Sequence, residues 1–153
     1  KIYTDKNIWK AKARKVYVTI ENLTLLKASS GSNVKSESVI NTNEIYIDAS
    51  SGASIDIEVV AKSAVTEASS GSDVKIKGTT INHTARASSG SSINAYKLKS
   101  TNANASASSG ASINIYASKN MDAKASSGGA IDYTGNPTRI NKEASSGGSI
   151  SIN

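Results

Sequence analysis

The tetrapeptide Ala-Ser-Ser-Gly begins at Ala28, Ala49, Ala68, Ala87, Ala107, Ala125 and Ala144, with spacings of 21, 19, 19, 20, 18 and 19 residues. A recurring period constrains a chain more than any local propensity, because each repeat must be one structural unit stacked on the next. Units of about 19 residues are too short for a pair of packed helices, and Ser, Gly, Ile and Val are poor helix formers. They match one coil of a β-solenoid.

Positions inside the repeat carry the same message. Six residues after each motif alanine stand Val34, Ile55, Val74, Ile93, Ile113, Ile131 and Ile150, all β-branched. Two further on come Ser36, Ile57, Ile76, Ala95, Ile115, Tyr133 and Ile152, mostly apolar, with polar residues between the two sets. Such alternation is a strand with one buried face. Two residues before the motif lie Leu26, Ile47, Thr66, Ala85, Ala105, Ala123 and Lys142, a second inward row. Ser-Ser-Gly falls between the strands, where glycine can take the positive φ of a corner. Stacking coils ~4.8 Å apart would pile equivalent residues into columns and close the backbone hydrogen bonds. Small inward alanines would let opposing sheets approach and leave the interior packed.

The expected fold is therefore all-β: a single-stranded, right-handed parallel β-helix, the usual hand of a parallel crossover. Residues 1–153 read as one solenoid domain, with irregular leading coils over 1–27 and seven Ala-Ser-Ser-Gly coils over 28–153. Val16, Val18 and Ile20 alternate, followed by Leu23 and Leu26, and Ile8 and Trp9 are candidate plugs for the leading end. Strand-like sequence at Lys1-Ile2-Tyr3 and a stop at Asn153, without a capping helix, predict self-association, end to end or lateral, or a homo-oligomer.

The net charge of +6 is local: eight basic residues against Asp5 and Glu21 lie within 1–35, leaving ten of each sign elsewhere. A neutral rod with a basic start is a solvated surface, and nucleic acid is not expected as a partner. Outward series such as Lys27, Asp48, Glu67, Arg86, Ser106, Lys124 and Glu143 mostly set opposite or neutral groups beside each other on successive coils. With no cysteine, disulfides and thiolate metal sites are excluded.

Catalytic chemistry finds little material. His83, the only histidine, falls on inward parity with no second histidine or clustered carboxylate. Asp56 and Asp132 share one row but lie four coils apart, roughly 19 Å, too far for a paired acid and base. Turns reading Ser-Ser-Gly-Ser or Ser-Ser-Gly-Gly lack the aspartates of calcium-binding nonapeptides, and Gly128-Gly129 and Gly147-Gly148 lack the Lys-Ser/Thr of a phosphate loop. No cofactor, metal or catalytic residue is expected. Tyr96 and Tyr116, nine residues after their motif alanines on adjacent coils, are the candidate binding residues, as a stacked aromatic step outside the rod.

The repeated Ala-Ser-Ser-Gly-x-x-(Ile/Val), the run Ala125-Ser-Ser-Gly-Gly-Ala-Ile-Asp-Tyr-Thr-Gly-Asn-Pro137, and the segments Lys1 to Trp9 and Val16 to Leu26 resemble the bacterial family of putative auto-transporter adhesins, head GIN domain. The resemblance implies a right-handed β-helix, export in Bacteroidetes-type bacteria, and a further segment before residue 1. The expected function is a non-catalytic, adhesin-like binding or scaffold module, at the cell surface, outer-membrane-associated or periplasmic, with a glycan or another envelope component as partner. A carbohydrate-active enzyme on a β-helix is the alternative.

Overall fold

In the computed structural model the described residues are 15–153. The strands run β1 (Leu25–Ala28), β2 (Asn33–Lys35), β3 (Ile40–Ala49), β4 (Ser54–Ala68), β5 (Asp73–Ala87), β6 (Ser92–Ala95), β7 (Leu98–Ala107), β8 (Ser112–Tyr116), β9 (Asn120–Ala125), β10 (Ala130–Thr134), β11 (Arg139–Ala144) and β12 (Ser149–Ile152). Every pairing is parallel and joins equivalent positions of successive coils, so the chain is a parallel β-solenoid. One ladder follows the motif, through β2, the first half of β4 and of β5, then β6, β8, β10 and β12. The other precedes it, through β1, β3, the second half of β4 and of β5, then β7, β9 and β11.

The isoleucine and valine column forms as its period requires. Val34, Ile55 and Val74 pair in register, then Val74 with Ile93, Ile113 and Ile131 in turn. Ile55, Val74, Ile93, Ile113 and Ile131 are fully buried, whereas Val34 and Ile150 near the two ends are half-buried. Each fully buried member contributes roughly 1.5–3 kcal/mol of transfer free energy against the entropy of ordering the chain. The motif alanines from Ala28 to Ala125 form a second buried column, and Ile47, Thr66, Ala85, Ala105 and Ala123 a third. At the last coil Lys142 takes the place of an apolar residue in that third column, and its ammonium lies 4.5 Å from the ring centroid of buried Tyr133.

The corner is tighter than glycine alone would make it. In every repeat both the second serine (φ 48 to 56°) and the glycine (φ 67 to 77°) are left-handed. The first serine's carbonyl accepts from the residue three positions on, as in Ser32 N–H to Ser29 O at 3.2 Å. That is a type I′ turn, which demands positive φ at both central residues. Holding serine there costs on the order of 1 kcal/mol or more per turn. The opposing gain is an inter-coil bond through the corner: Gly31 N–H donates to Ser51 O at 3.0 Å, Gly52 to Ser70 and Gly71 to Ser89 at 3.1 Å.

In β4 a second bend carries no glycine or proline. Ala61 and Ala64 both point inward, so Lys62 and Ser63 are successive outward residues, and the ladder skips the Lys62–Ile81 position between Ala61–Thr80 and Ser63–Asn82. Without that parity change the alternation of β4 would turn Ala64, Thr66 and Ala68 to solvent.

Outward charges pair along the rod as their order predicts: Lys27–Asp48 at 3.5 Å, Arg86–Glu67 at 3.0 Å and Lys124–Glu143 at 2.9 Å, with Lys77–Glu58 at 3.1 Å on another column. All are largely exposed and contribute little stability each; they favour the correct register. Tyr46 also donates its hydroxyl to Glu67, and this bond to a carboxylate pushes its pKa up to about 12.

The leading segment departs from the expectation. Residues 15–24 form no strand, and Val16, Val18 and Ile20 are 60, 67 and 53% exposed, so their alternation marks no inward row. The first strand among the described residues is β1, where Leu25 to Ala28 pair with Tyr46 to Ala49. An alternating valine pattern forms a buried strand only with a neighbouring coil to pair with. Ile8 and Trp9 lie outside the described residues.

Candidate binding groove

Outward positions just after the second bend form an ordered polar surface. Asn82, Asn102 and Asn120 stand in register on β5, β7 and β9, followed by Arg139 on β11. Their amides link along the axis: Asn102 Nδ2–H donates to Asn82 Oδ1 at 2.9 Å, and Asn120 Nδ2–H to Asn102 Oδ1 at 2.6 Å. Two residues further along each strand, Thr84, Asn104, Asp122 and Asn141 make a parallel column. Between the columns runs a shallow groove of about 360 Å³. Inward-pointing His83, Ala103 and Met121 place their backbone at its floor.

His83 fits because its column neighbours leave space: it pairs with Ala64 on one side and Ala103 on the other. Its Nε2 lies 3.2 Å from Thr66 Oγ1, Nδ1 has no partner, and burial lowers its pKa to about 4. It is a core residue, out of reach of any ligand in the groove.

Its burial makes stability depend on pH. An unfolded histidine takes up its proton near pH 6.5, whereas the folded one resists until about pH 4. Stability from this group is therefore complete above pH 6.5 and is lost as pH falls towards 4, a total of about 3 kcal/mol. Between pH 7.5 and 5, urea unfolding should show wild type losing about 2 kcal/mol that His83→Gln retains. Parallel losses in both proteins would remove His83 as the cause.

The two tyrosines are brought onto one outward column, as their spacing implies. Ala95 pairs with Ile115, which places Tyr96 beside Tyr116, and both are half-buried. Each is already engaged. Lys99 Nζ sits 3.9 Å from the Tyr116 ring centroid, and Asn153 Nδ2–H donates to the Tyr96 hydroxyl at 3.0 Å. The step therefore fastens the last coil and the β6–β7 connection, and one ring face carries an ammonium where a ligand would stack.

Asp56 and Asp132 share a column with Lys75, Asn94 and Asn114 between them, so no paired carboxylate arises there. A wider depression of about 520 Å³ lies between Asn22, Thr24 and Asn41 to Glu44, where the irregular segment meets β3. Among the described residues no group of three or more His, Cys, Asp or Glu side chains could hold a metal ion, and no helix is long and apolar enough to cross a membrane.

The profile of the putative auto-transporter adhesin, head GIN domain family matches residues 1–137. The chain belongs to this family. Two solved structures resemble the GIN-domain chain in fold. A crystal structure of a putative adhesin from Bacteroides fragilis matches at TM-score 0.73 and 22% identity, over 79% of this chain and 56% of that one. A putative lipid binding protein from Parabacteroides distasonis matches at TM-score 0.83 and 20% identity, over 86% and 54%. The GIN-domain chain thus spans about half the length of either neighbour. No curated protein matches it.

The asparagine columns were missed in the sequence although a signal was present. Asn82, Asn102, Asn120 and Arg139 each stand five residues before a motif alanine, and Thr84, Asn104, Asp122 and Asn141 three before. The varying coil length is absorbed elsewhere, so counting backward from the motif aligns these residues and counting forward does not.

Proposed function

We propose that this chain is an exported, non-catalytic binding module, adhesin-like, that presents a rigid lateral face of the rod to a component of the cell envelope. The observation that carries the proposal is the hydrogen-bonded amide column of Asn82, Asn102 and Asn120 beside an open polar groove. A surface whose side chains are held by their neighbours loses little entropy when it meets a ligand. Membership of an adhesin family agrees with export and binding, and Asp56 and Asp132, separated within their column, supply no acid and base for turnover.

The Parabacteroides protein's name brings lipid forward as a competing ligand. The interior columns of this chain are closed by Ile, Val and Ala packing, so an acyl chain would have to lie on the outside. Self-association belongs to the same proposal: Val60 and Ile81, 43 and 50% exposed on adjacent coils, offer a small lateral apolar contact.

The test is retention of the pure chain on bacterial envelope fractions, with light scattering across concentration for its own assembly. Retention without release of soluble product is expected. Absence of retention together with a monomer at every concentration would overturn the proposal.

A further inference from the structure

We propose that the groove between the Asn82–Asn102–Asn120 column and the Thr84–Asn104–Asp122 column is a binding site for a neutral oligosaccharide lying along the rod. This deepens the binding-module proposal and rests on it.

Hydrogen-bond capacity points to hydroxyl groups. A carboxamide has two N–H donors and two oxygen lone pairs. Within the ladder Asn102 spends one N–H on Asn82 and one lone pair on Asn120, keeping one donor and one acceptor for a ligand. Asn82 keeps both donors and Asn120 both lone pairs relative to the ladder. A sugar hydroxyl is itself donor and acceptor, so it satisfies such a pair where a purely anionic or purely cationic group satisfies half of it.

Charge selects against ionic ligands. The ionic groups lining the groove are Asp122 and Arg139, of opposite sign, and neither is in an ion pair among the described residues. A polyanion would meet the Asp122 carboxylate and a polycation the Arg139 guanidinium. A polyol can donate to the first and accept from the second. Apolar ligands find little purchase, since Ala103 and Met121 are buried beneath the floor.

Dimensions favour a chain over a single ring. From Asn82 to Arg139 the groove crosses three coil spacings, about 14 Å at the ordinary separation of strands. It is open to solvent, so single-site affinity should be weak and clustering should raise it strongly, as adhesion requires.

The decisive experiment displays the full chain at high density on beads. Retention is read on an array of neutral gluco-, manno- and galacto-oligosaccharides, beside uronate-bearing and sulfated ones and an intact envelope fraction. Wild type should be retained on one or more neutral oligosaccharides. Asn104→Ala with Asp122→Ala should weaken that at least tenfold while Lys77→Ala, on another column, stays within twofold. Asn141→Trp, which fills the groove from an exposed position, should match the double variant and guards against a folding defect. Unchanged retention in both groove variants, or retention confined to anionic glycans, would overturn the site. Retention on envelope material but on no neutral glycan would overturn this inference and leave the binding module standing, and retention on nothing would remove both.

Discussion

Replacing Ile93 with alanine should lower the unfolding free energy by about 2–5 kcal/mol, the range of large-to-small changes at fully buried sites. Ile93 has no exposed surface and stacks between Val74 and Ile113 at the same height of adjacent coils. Backbone ladders hold those neighbours at a set spacing, so they cannot slide together to close the void. The lost transfer term therefore adds to a nearly uncollapsed cavity. Val34→Ala, in the same column but half-buried, should lose less than half as much. Urea titrations followed by circular dichroism measure both. Equal losses would mean that burial depth along the column does not set the energetics.

Gly78→Ala should be worse, more than about 3 kcal/mol or outright failure to accumulate folded protein. A Cβ at Gly78 would stand 1.9 Å from the carbonyl oxygen of Val59, and the residue's φ of +118° is one that L side chains rarely adopt. Val59, Gly78 and Leu98 pair in register, so relief would require parting parallel strands in the middle of the rod. Gly71→Ala is the comparison. Nothing lies within 4 Å of its Cβ and its φ is +70°, so it should lose only the left-handed penalty, roughly 1–2 kcal/mol. Thermal melts of the two variants decide between steric and conformational causes. Matching midpoints would refute the close approach of β4 and β5 as the reason.

How far these features were legible depends on whether a residue's role is repeated. The Ile and Val column, the motif alanines and the Lys27–Asp48, Arg86–Glu67 and Lys124–Glu143 pairs could be placed from spacing, because each coil restates the same position and ladder pairing converts a sequence interval into a spatial neighbour. The left-handed serine of every corner was less accessible. Serine has no marked preference for that region, and only closure of a type I′ turn on a coil already bonded to its neighbour puts it there. Val16, Val18 and Ile20 alternate as a buried strand would and are exposed all the same, since alternation says which residues share a face and not whether anything covers it.

The Tyr96 and Tyr116 step shows a similar division. Their adjacency followed from the period, and Asn153, nine residues after Ala144, belongs to the same column, but Lys99 over one ring comes from outside the repeat position. The candidate groove depends still more on three dimensions. On β5 and β7 its columns are outward because Ile81–Asn82 and Thr101–Asn102 are successive outward residues that reverse the parity of the strand, whereas on the next coil three outward residues, Ser118 to Asn120, lead into Asn120 and Asp122 with parity unchanged.

What the sequence alone determined is the solenoid: a motif returning about every 19 residues with β-branched residues at a fixed offset leaves a stack of parallel coils as the arrangement that buries them. What the tertiary structure decided is which outward columns lie side by side. A repeat specifies neighbours along a column, whereas the bends specify the order of the columns around the rod. A binding surface is made of both.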